Sequence, residues 1–262
     1  MPLPTSPVSA SDSVLYVVPT LGQRRDYLAE TLDSLQRQNH PHLTVVVVAP
    51  ADATHVRAET DVRGIELVVQ KGVGLSGAIN EGFRAHGEGH EFWAWLGDDD
   101  TLTDGSTASA VAHLRQHPSA SMVYGQCAYV DGDGRLLHVA RPGPLAARLM
   151  RWGPNLVPQP GSVARAAAVR RAGLLDETLR YAMDLDLFLR LQDVGPVRYL
   201  PENLGTFRWH ATSTTVAHSA ASDAEARLVR ARTWTGRRSA GPVVEPFARV
   251  VGRVLHRVQR GL

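Results

Sequence analysis

The chain has 262 residues, of which 44% are hydrophobic and 21% charged, and its formal net charge is +2 at pH 7. These values are typical of an ordinary soluble globular protein with one large α/β domain or two small ones, and they give no reason to expect a nucleic-acid partner. The single cysteine, Cys127, excludes an intrachain disulfide and fits a reducing compartment, so we expect a cytoplasmic protein. No apolar run approaches the ~18 residues of a membrane-spanning helix, and the Pro/Ser-rich residues 1–12 do not resemble a signal peptide.

Strands and helices alternate along the first half of the chain. Apolar and β-branched runs predict strands at 14–18, 44–48, 65–69 and 92–96, and helical spacing predicts helices at about 25–38 and from 75 to the glycines at 87 and 89. This alternation indicates a parallel sheet with right-handed crossovers, whose ligands bind beyond the carboxyl ends of the strands. Asp98, Asp99 and Asp100 directly follow the fourth strand and are expected at such an end.

The second half of the chain is less regular. It predicts strands at 121–130 and 204–209, helices at 166–172 and 185–191, and a hairpin turn at 131–134. The sequence contains no internal repeat and no clear linker, which favours one continuous domain with two functional halves.

The three consecutive aspartates are a candidate metal site. Adjacent carboxylates repel and raise one another's pKa, and a divalent cation removes that repulsion. Hard oxygen ligands favour Mg²⁺ or Mn²⁺, completed by substrate phosphates and water. The alternative interpretation is a solvated turn that caps a helix at 106–116. The position at the end of a predicted strand favours the metal site.

A glycine-rich segment raises a second possibility. Gly72, Gly74 and Gly77 match the dinucleotide-binding pattern G-x-G-x-x-G, and Asp98 follows about 20 residues later. Three strands already precede this segment, whereas the dinucleotide pattern normally lies in the first strand–helix turn of its domain. A triplet of acids also exceeds what a ribose hydroxyl needs. A dehydrogenase is therefore the less favoured alternative, and the glycines suit either a tight loop or a nucleotide site.

A second pair of carboxylates, Asp184 and Asp186, begins a predicted helix. Asp186 and Arg190 are spaced to form an i, i+4 pair, which leaves Asp184 available for another role. A carboxylate near a helix N-terminus is expected to stay ionised at neutral pH, as a general base must. The alternative is that Asp184 only caps the helix.

In this order, the motifs resemble those of the GT-A-fold family 2 glycosyltransferases, and the resemblance runs from about residue 13 to 213. The first part matches an opening strand and turn, a first helix, a glycine/asparagine segment and a DxD-type metal motif. These are Val17–Thr20, Leu32–Gln38, Gly74–Gly82 and Trp95–Asp100. The later part resembles an acceptor-side segment, the Glu-Asp-x-Asp-Leu signature and an Arg-x-His segment. These are Gln159–Ser162 with Leu174–Glu177, Met183–Leu187 and Arg208–His210.

The resemblance implies a Rossmann-like, mixed and mostly parallel sheet flanked by helices. It also implies an inverting enzyme that uses a nucleotide-sugar donor and Mn²⁺ or Mg²⁺. The residues assigned to the nucleotide-sugar are Pro19, Thr20, Gly74, Ser76, Gly77, Asn80 and Asp98. Those assigned to the metal are Asp99, Asp100 and His210, with Asp99 the leading ligand, and Asp184 is the catalytic base.

The sequence departs from the family pattern at four places. Ala49-Pro50 stands where an acid usually contacts the nucleotide base, and Gly77 stands where related sequences often carry Asp. Gly97 replaces an Asp or Asn of the metal motif, and Met183 replaces the acid before the base. These departures indicate altered base recognition and leave a catalytically inactive sugar-nucleotide-binding protein as an alternative.

The resemblance also predicts the domain organisation. A GT-A domain is expected at 13–218, with a nucleotide-sugar-binding half at 13–116, an acceptor-binding half at 117–218 and a helical tail at 219–262. Apolar residues at helical spacing over 243–258, with arginines between them, predict a basic amphipathic helix. It would lie on the inner membrane face, form a homodimer or pack on its own domain. The expected acceptor is a sugar, a lipid-linked or a small molecule, in polysaccharide, cell-envelope or natural-product glycoside synthesis.

Overall fold

The structure is a computed structural model that describes residues 12–210 and 219–234. Within these residues the strands are β1 (Val14–Pro19), β2 (Leu43–Ala49), β3 (Glu66–Val69), β4 (Phe92–Trp95), β5 (Thr101–Leu102), β6 (Met122–Val130), β7 (Leu136–Ala140), β8 (Val163–Arg165) and β9 (Val197–Arg208). The helices are α1 (Arg25–Gln36), α2 (Thr54–Asp61), α3 (Gly74–His86), α4 (Ser106–Gln116), α5 (Ala146–Leu149), α6 (Ala166–Ala172), α7 (Met183–Val194) and α8 (Ser219–Trp234).

Strand β1 is buried along its whole length because helices cover both faces of the sheet. Successive side chains of a strand point to opposite faces. Leu15 and Val17 accordingly pack into one apolar cluster with α3 and α7. Tyr16 and Val18 pack into a second cluster with α1 and α4. The continuous apolar run in the sequence therefore reflects the middle layer of a helix–sheet–helix sandwich.

The strands form one mixed sheet in the order β3-β2-β1-β4-β8-β6-β9-β5, with β7 paired to β6. Strands β3, β2, β1 and β4 are parallel neighbours, and β6 is parallel to β9. Strand β8 is antiparallel to both β4 and β6 and joins the two halves. This architecture agrees with the predicted α/β, Rossmann-like sheet.

The sheet register determines which residues meet at its edge. Val17 of β1 pairs with Trp95 of β4, so Thr20 and Asp98, three residues further on, leave the sheet side by side. Thr101 of β5 pairs with Thr206 of β9 in antiparallel orientation. The residues after β9 therefore return alongside the aspartate triplet.

Most predicted elements are present, and α4 and α6 have the predicted bounds. Helix α2 was not predicted, because only Val56 and Thr60 are buried along it and its apolar periodicity is weak. Strand β9 begins seven residues earlier than predicted, at Val197. Its first half contains Pro201 and pairs with β6 through register shifts, so it lacks a regular strand pattern in the sequence.

The predicted tail at 219–262 is described only in part. Helix α8 covers its beginning and packs against α7. The predicted amphipathic helix at 243–258 lies outside the described residues. Among the residues that are described, no helix has both the length and the apolar character needed to cross a membrane.

Candidate active site

The aspartate triplet lies at the carboxyl end of β4, where sequence reasoning placed it. Asp98 and Asp100 are buried and Asp99 is partly exposed. The Thr20 hydroxyl, just beyond β1, donates a 2.5 Å hydrogen bond to Asp98 Oδ2. Burial raises the pKa of the Asp98 carboxyl, and the Arg24 guanidinium and the Thr20 bond oppose this effect. Two predicted donor-site residues, Thr20 and Asp98, are thus in direct contact.

Arg24, in the turn before α1, pairs with two of the aspartates. Its Nη2 donates to Asp98 Oδ1 at 2.6 Å and its Nη1 donates to Asp99 Oδ2 at 2.8 Å. Sequence reasoning missed this residue, since no motif marks it. The only signal was a pair of arginines, Arg24 and Arg25, in the turn after the first strand. The guanidinium neutralises much of the repulsion that three adjacent carboxylates would otherwise have.

His210 reaches the same carboxylate from the end of β9. Its Nε2 lies 2.9 Å from Asp99 Oδ2 and 3.4 Å from Arg24 Nη1. The Tyr27 ring of α1 packs on its imidazole, with ring centroids 5.5 Å apart. The predicted ligands Asp99 and His210 therefore meet although 111 residues separate them.

Asp100 is tied to β9 by one of its two carboxyl oxygens. Asp100 Oδ1 accepts a 3.0 Å hydrogen bond from the Arg208 backbone N–H. The pKa of this carboxyl is raised well above its ordinary value, first by burial and then by the charge of Asp99. A carboxyl in this state gains from a nearby positive charge, which is a property expected of a cation ligand.

Gly97 lies close against the remaining carboxylate oxygens. A Cβ at Gly97 would lie 2.9 Å from Asp99 Oδ1 and 3.1 Å from Asp100 Oδ2, so these two oxygens border one position. The family pattern has Asp or Asn here, and a side chain at this backbone position would crowd both carboxylates. The glycine therefore suits this arrangement of aspartates.

Arg208 fastens the triplet to its surroundings. Its Nε donates to the Asp99 carbonyl at 3.1 Å and its Nη1 donates to the Gly132 carbonyl at 3.1 Å. It also forms an ion pair with Glu30 and stacks over the Tyr27 ring, 4.4 Å from the centroid. One side chain thus joins β9, α1, the 131–134 turn and the triplet.

Asp184 lies in the first turn of α7, as predicted, and is partly buried. It accepts hydrogen bonds from Asn155 Nδ2 at 2.9 Å and from the Leu185 N–H at 2.7 Å. Burial raises its pKa to about 6, because desolvation outweighs these hydrogen bonds. The carboxylate is therefore mostly ionised at neutral pH but is more basic than an ordinary aspartate. Asp186 pairs with Arg190 at 2.5 Å, as the spacing predicted.

The segment 155–162 connects the two carboxylate sites. Asn155 holds Asp184, and Gln159 Nε2 donates to the Trp95 carbonyl of β4 at 2.7 Å. Gly161 has a φ of +79°, and a Cβ there would lie 2.5 Å from Leu204 Cβ, so only glycine fits. This segment therefore ties the start of α7 to the strand that ends in the triplet.

Ser76 and Asn80 of α3 face the protein interior. The Asn80 amide donates to the Leu175 carbonyl and accepts from the Leu175 N–H, at 2.9 and 3.1 Å. Ser76 Oγ lies 2.9 Å from Met183 Sδ. Their side chains therefore support the segment that leads into α7. Gly74 is exposed with a φ of +81°, and Gly77 is buried on the same helix.

The loop before α3 is already supplied with a carboxylate. Glu81 accepts hydrogen bonds from the backbone N–H groups of Lys71 and Gly72 at 2.8–3.0 Å. A dinucleotide-binding loop needs its backbone N–H groups for the pyrophosphate. This contact counts against the dehydrogenase alternative.

An open mixed sheet with carboxylates at the carboxyl end of a parallel strand is the arrangement expected of a GT-A-type fold. The family described as "Glycosyl transferase family 2" matches residues 16–172, which is more than half of the chain. The chain belongs to this family, and the predicted family is confirmed.

Two curated relatives are named glycosyltransferases. Uncharacterized glycosyltransferases of Rickettsia typhi and Rickettsia prowazekii are 24% and 23% identical to this chain over 207 residues. Each alignment covers 72% of this chain, and the chain spans only 62% of the length of these relatives.

Solved structures share the fold. The mannosyltransferase PcManGT from Pyrobaculum calidifontis, in complex with GDP-Man and Mn²⁺, has a TM-score of 0.62 at 18% identity, covering 93% of this chain and 69% of that chain. A fragment of S. aureus TarS, in complex with UDP-GlcNAc, has a TM-score of 0.61 at 18% identity, covering 83% and 65%. These similarities confirm the GT-A fold class. The roles of individual residues stay predictions.

Proposed function

We propose that the chain is a metal-dependent, inverting glycosyltransferase that moves a sugar from a nucleoside-diphosphate sugar to an acceptor hydroxyl. The observation that carries this proposal is the meeting of Thr20, Asp98, Asp99 and His210 at one edge of the sheet. Asp98 and Asp100 in this cluster are buried carboxyls with raised pKa values, which are costly to a fold and typical of sites that bind a ligand.

The metal proposal rests on two carboxylate oxygens that lie together beside Gly97. They are Asp99 Oδ1 and Asp100 Oδ2, and carboxylate oxygens are the ligands that Mn²⁺ and Mg²⁺ prefer. His210 stands beside Asp99 as the third proposed ligand. Across the described ranges, no three acidic, histidine or cysteine side chains are already placed to hold a metal ion. The proposal therefore requires the three ligands to move closer together, and donor phosphates and water would complete the shell. A bound cation would neutralise charge on the departing nucleoside diphosphate.

Arg24 has a place in this proposal that the sequence did not predict. Its guanidinium holds Asp98 and Asp99, so a divalent cation competes with it for Asp99. Arginine is well suited to binding phosphate oxygens with two parallel hydrogen bonds. We propose that Arg24 releases Asp99 on donor binding and turns to the diphosphate, while Asp98 and Thr20 contact the ribose.

The remaining donor-side residues divide into two groups. Pro19, Gly74 and Gly77 offer backbone at the ends of β1 and at the start of α3 and are proposed to line the nucleotide-sugar. Ser76 and Asn80 are proposed to act indirectly, without touching the donor, by holding the 175–183 segment against α3.

Asp184 is the proposed catalytic base. It removes the proton from the acceptor hydroxyl as that oxygen attacks the anomeric carbon, and attack opposite to the departing diphosphate inverts that carbon. A pKa of about 6 suits the task, because the group is ionised at neutral pH yet basic enough to accept a proton. Asn155 and the Leu185 N–H fix the orientation of the carboxylate.

The acceptor is proposed to be a sugar, a lipid-linked or a small molecule in polysaccharide, cell-envelope or natural-product glycoside synthesis. We also propose that the protein is cytoplasmic and that residues 243–258 contact either the inner membrane face or a second copy of the chain. The solved relatives bind GDP-Man and UDP-GlcNAc, which makes both nucleotides the first donors to test.

A thermal-shift panel of UDP-, GDP-, dTDP- and CDP-sugars, with and without Mn²⁺, tests donor binding. We expect one nucleotide class to raise the melting temperature, more so with Mn²⁺, and NAD to have no effect. Asp99→Asn should remove the Mn²⁺-dependent part. Asp104→Asn, which makes the same change in an exposed carboxylate just after the triplet, should retain it. A shift with NAD and none with any sugar nucleotide would refute the proposal.

Release of nucleoside diphosphate then separates an enzyme from a binder. With the donor from the panel and a set of sugar and lipid-linked acceptors, the wild type should release diphosphate and form a product of inverted configuration at the anomeric carbon. Donor binding without release for any acceptor would favour the inactive-binder alternative.

A further inference from the structure

Helix α8 is attached to the acceptor-side half at several points. Val229 is fully buried within the same apolar cluster as α7. Arg230 Nε donates to the Met150 carbonyl at 3.2 Å, and Arg232 pairs with Asp176 at 2.8 Å. The helix therefore packs on the catalytic part of the chain, although sequence reasoning assigned it to a separate tail.

Glu225 of α8 binds the backbone just before α7. Its carboxylate accepts hydrogen bonds from three consecutive backbone N–H groups, those of Arg180 at 2.9 Å, Tyr181 at 2.5 Å and Ala182 at 2.6 Å. Ala182 is the N-cap residue of α7, and its side chain makes no capping hydrogen bond. Glu225 thus supplies, from another helix, the negative charge that a helix N-terminus favours.

This contact lies two residues from Asp184. Three N–H groups directed at one carboxylate leave the 180–182 turn little freedom, and the turn decides where α7 begins. Among the described ionisable groups, Glu225 on α8 adds to the raised pKa of Asp184. Asp186 on the same helix is neutralised by Arg190, and the 155–162 segment contributes the uncharged Asn155.

We propose that Glu225 is a positioning residue for Asp184: it fixes the 180–182 turn so that the base carboxylate is presented in one orientation. This inference rests on the proposed role of Asp184. It makes α8 part of the catalytic unit, so that the boundary predicted at residue 218 cuts through the active-site support.

Two measurements on the free protein test the proposal without a substrate. Glu225→Gln keeps the size of the side chain but removes its charge and one strong acceptor. Amide exchange over 180–182, followed by mass spectrometry, should become about tenfold faster or more. The ¹³C titration midpoint of the Asp184 carboxyl, assigned by its absence in Asp184→Asn, should fall by roughly 0.3–1 unit.

The controls separate positioning from general docking of the helix. Arg232→Gln breaks the ion pair between α8 and Asp176 and should leave both the 180–182 exchange and the Asp184 midpoint unchanged. Glu225→Asp keeps the negative charge, so the titration midpoint of Asp184 should stay close to its wild-type value. Unchanged exchange and an unchanged midpoint in a folded Glu225→Gln protein would overturn the proposal.

Turnover of the donor found in the panel distinguishes this inference from the proposed function. Glu225→Gln should lower kcat about tenfold with little change in the donor KM, and should move the acid limb of the pH profile to lower pH. If Asp184→Asn keeps wild-type turnover, the proposed role of Asp184 as the catalytic base fails, and this inference fails with it. If that variant is inactive while Glu225→Gln turns over normally with an unchanged acid limb, only the present inference fails.

Discussion

Asp184→Asn is expected to abolish transfer and, at the same time, to stabilise the folded protein at neutral pH. The pKa of Asp184 is raised from 3.8 to about 6 by burial, so the native protein holds this proton more tightly than the unfolded chain. A raised pKa favours the folded state below about pH 4, and that contribution is lost as the pH rises through about 6.

The structure gives the size of the effect. A shift of about two pKa units, at about 1.4 kcal/mol each, corresponds to about 3 kcal/mol that the ionised carboxylate costs at pH 7. Asparagine removes this cost but has one oxygen for the Asn155 and Leu185 donors, and one lost bond costs about 1 kcal/mol. A net gain of about 1–2 kcal/mol remains, which should raise Tm by about 2–8 °C for a chain of this size.

Thermal and urea unfolding at pH 7 and pH 4 measure the prediction. The gain should be present at pH 7 and absent at pH 4, where the wild-type carboxyl is protonated in the native state. Asp186→Asn is the matched control, because it makes the same change two residues away but leaves the half-buried Arg190 unpaired, and should therefore destabilise. A variant of Asp184 that is less stable than wild type at pH 7, or equally stabilised at pH 4, would refute the reasoning.

Three further predictions concern the same sites. The rate of transfer should fall below a pH of about 6 as Asp184 becomes protonated, and a pH profile of kcat measures this, with a flat profile down to pH 4 contradicting it. Arg24→Met should bind Mn²⁺ roughly tenfold more tightly in the absence of donor, because two partly exposed ion pairs worth about 1–2 kcal/mol no longer compete with the metal. Paramagnetic resonance of Mn²⁺ measures the affinity, and an unchanged affinity would contradict the prediction. Gly97→Ala should weaken Mn²⁺ binding in the same measurement, because its Cβ would stand 2.9 Å from Asp99 Oδ1 and displace that carboxylate. Wild-type affinity would contradict the proposed role of this oxygen.

The sequence predicts what local patterns control. Helix α4 was predicted at its observed bounds, and so was the position of the triplet after a buried strand, because both depend on neighbouring residues. The inward direction of Asn80 could not be predicted, because its partner Leu175 is 95 residues away. Arg24 carries no motif, and only the folded turn brings it to Asp98.

Asp184 illustrates the same limit in its chemistry. Its place at a helix N-terminus was read from the sequence, and that place favours an ionised carboxylate. Burial has the opposite and larger effect on its pKa, and burial depends on packing between distant segments. The sequence therefore identified the residue but not the balance of forces on it.

The bond between the Arg208 backbone and Asp100 has a consequence for how the chain acquires its fold during synthesis. The Asp100 carboxyl accepts a hydrogen bond from the backbone N–H of a residue 108 positions further along the chain. Until β9 has emerged from the ribosome, Asp100 lacks this donor and the triplet lacks His210. Contacts of such sequence separation form late, and a partly made chain exposes what they will cover. Nascent chains that stop short of residue 208 should therefore carry an incomplete donor site in an otherwise formed first half, and should depend most on chaperones at that stage.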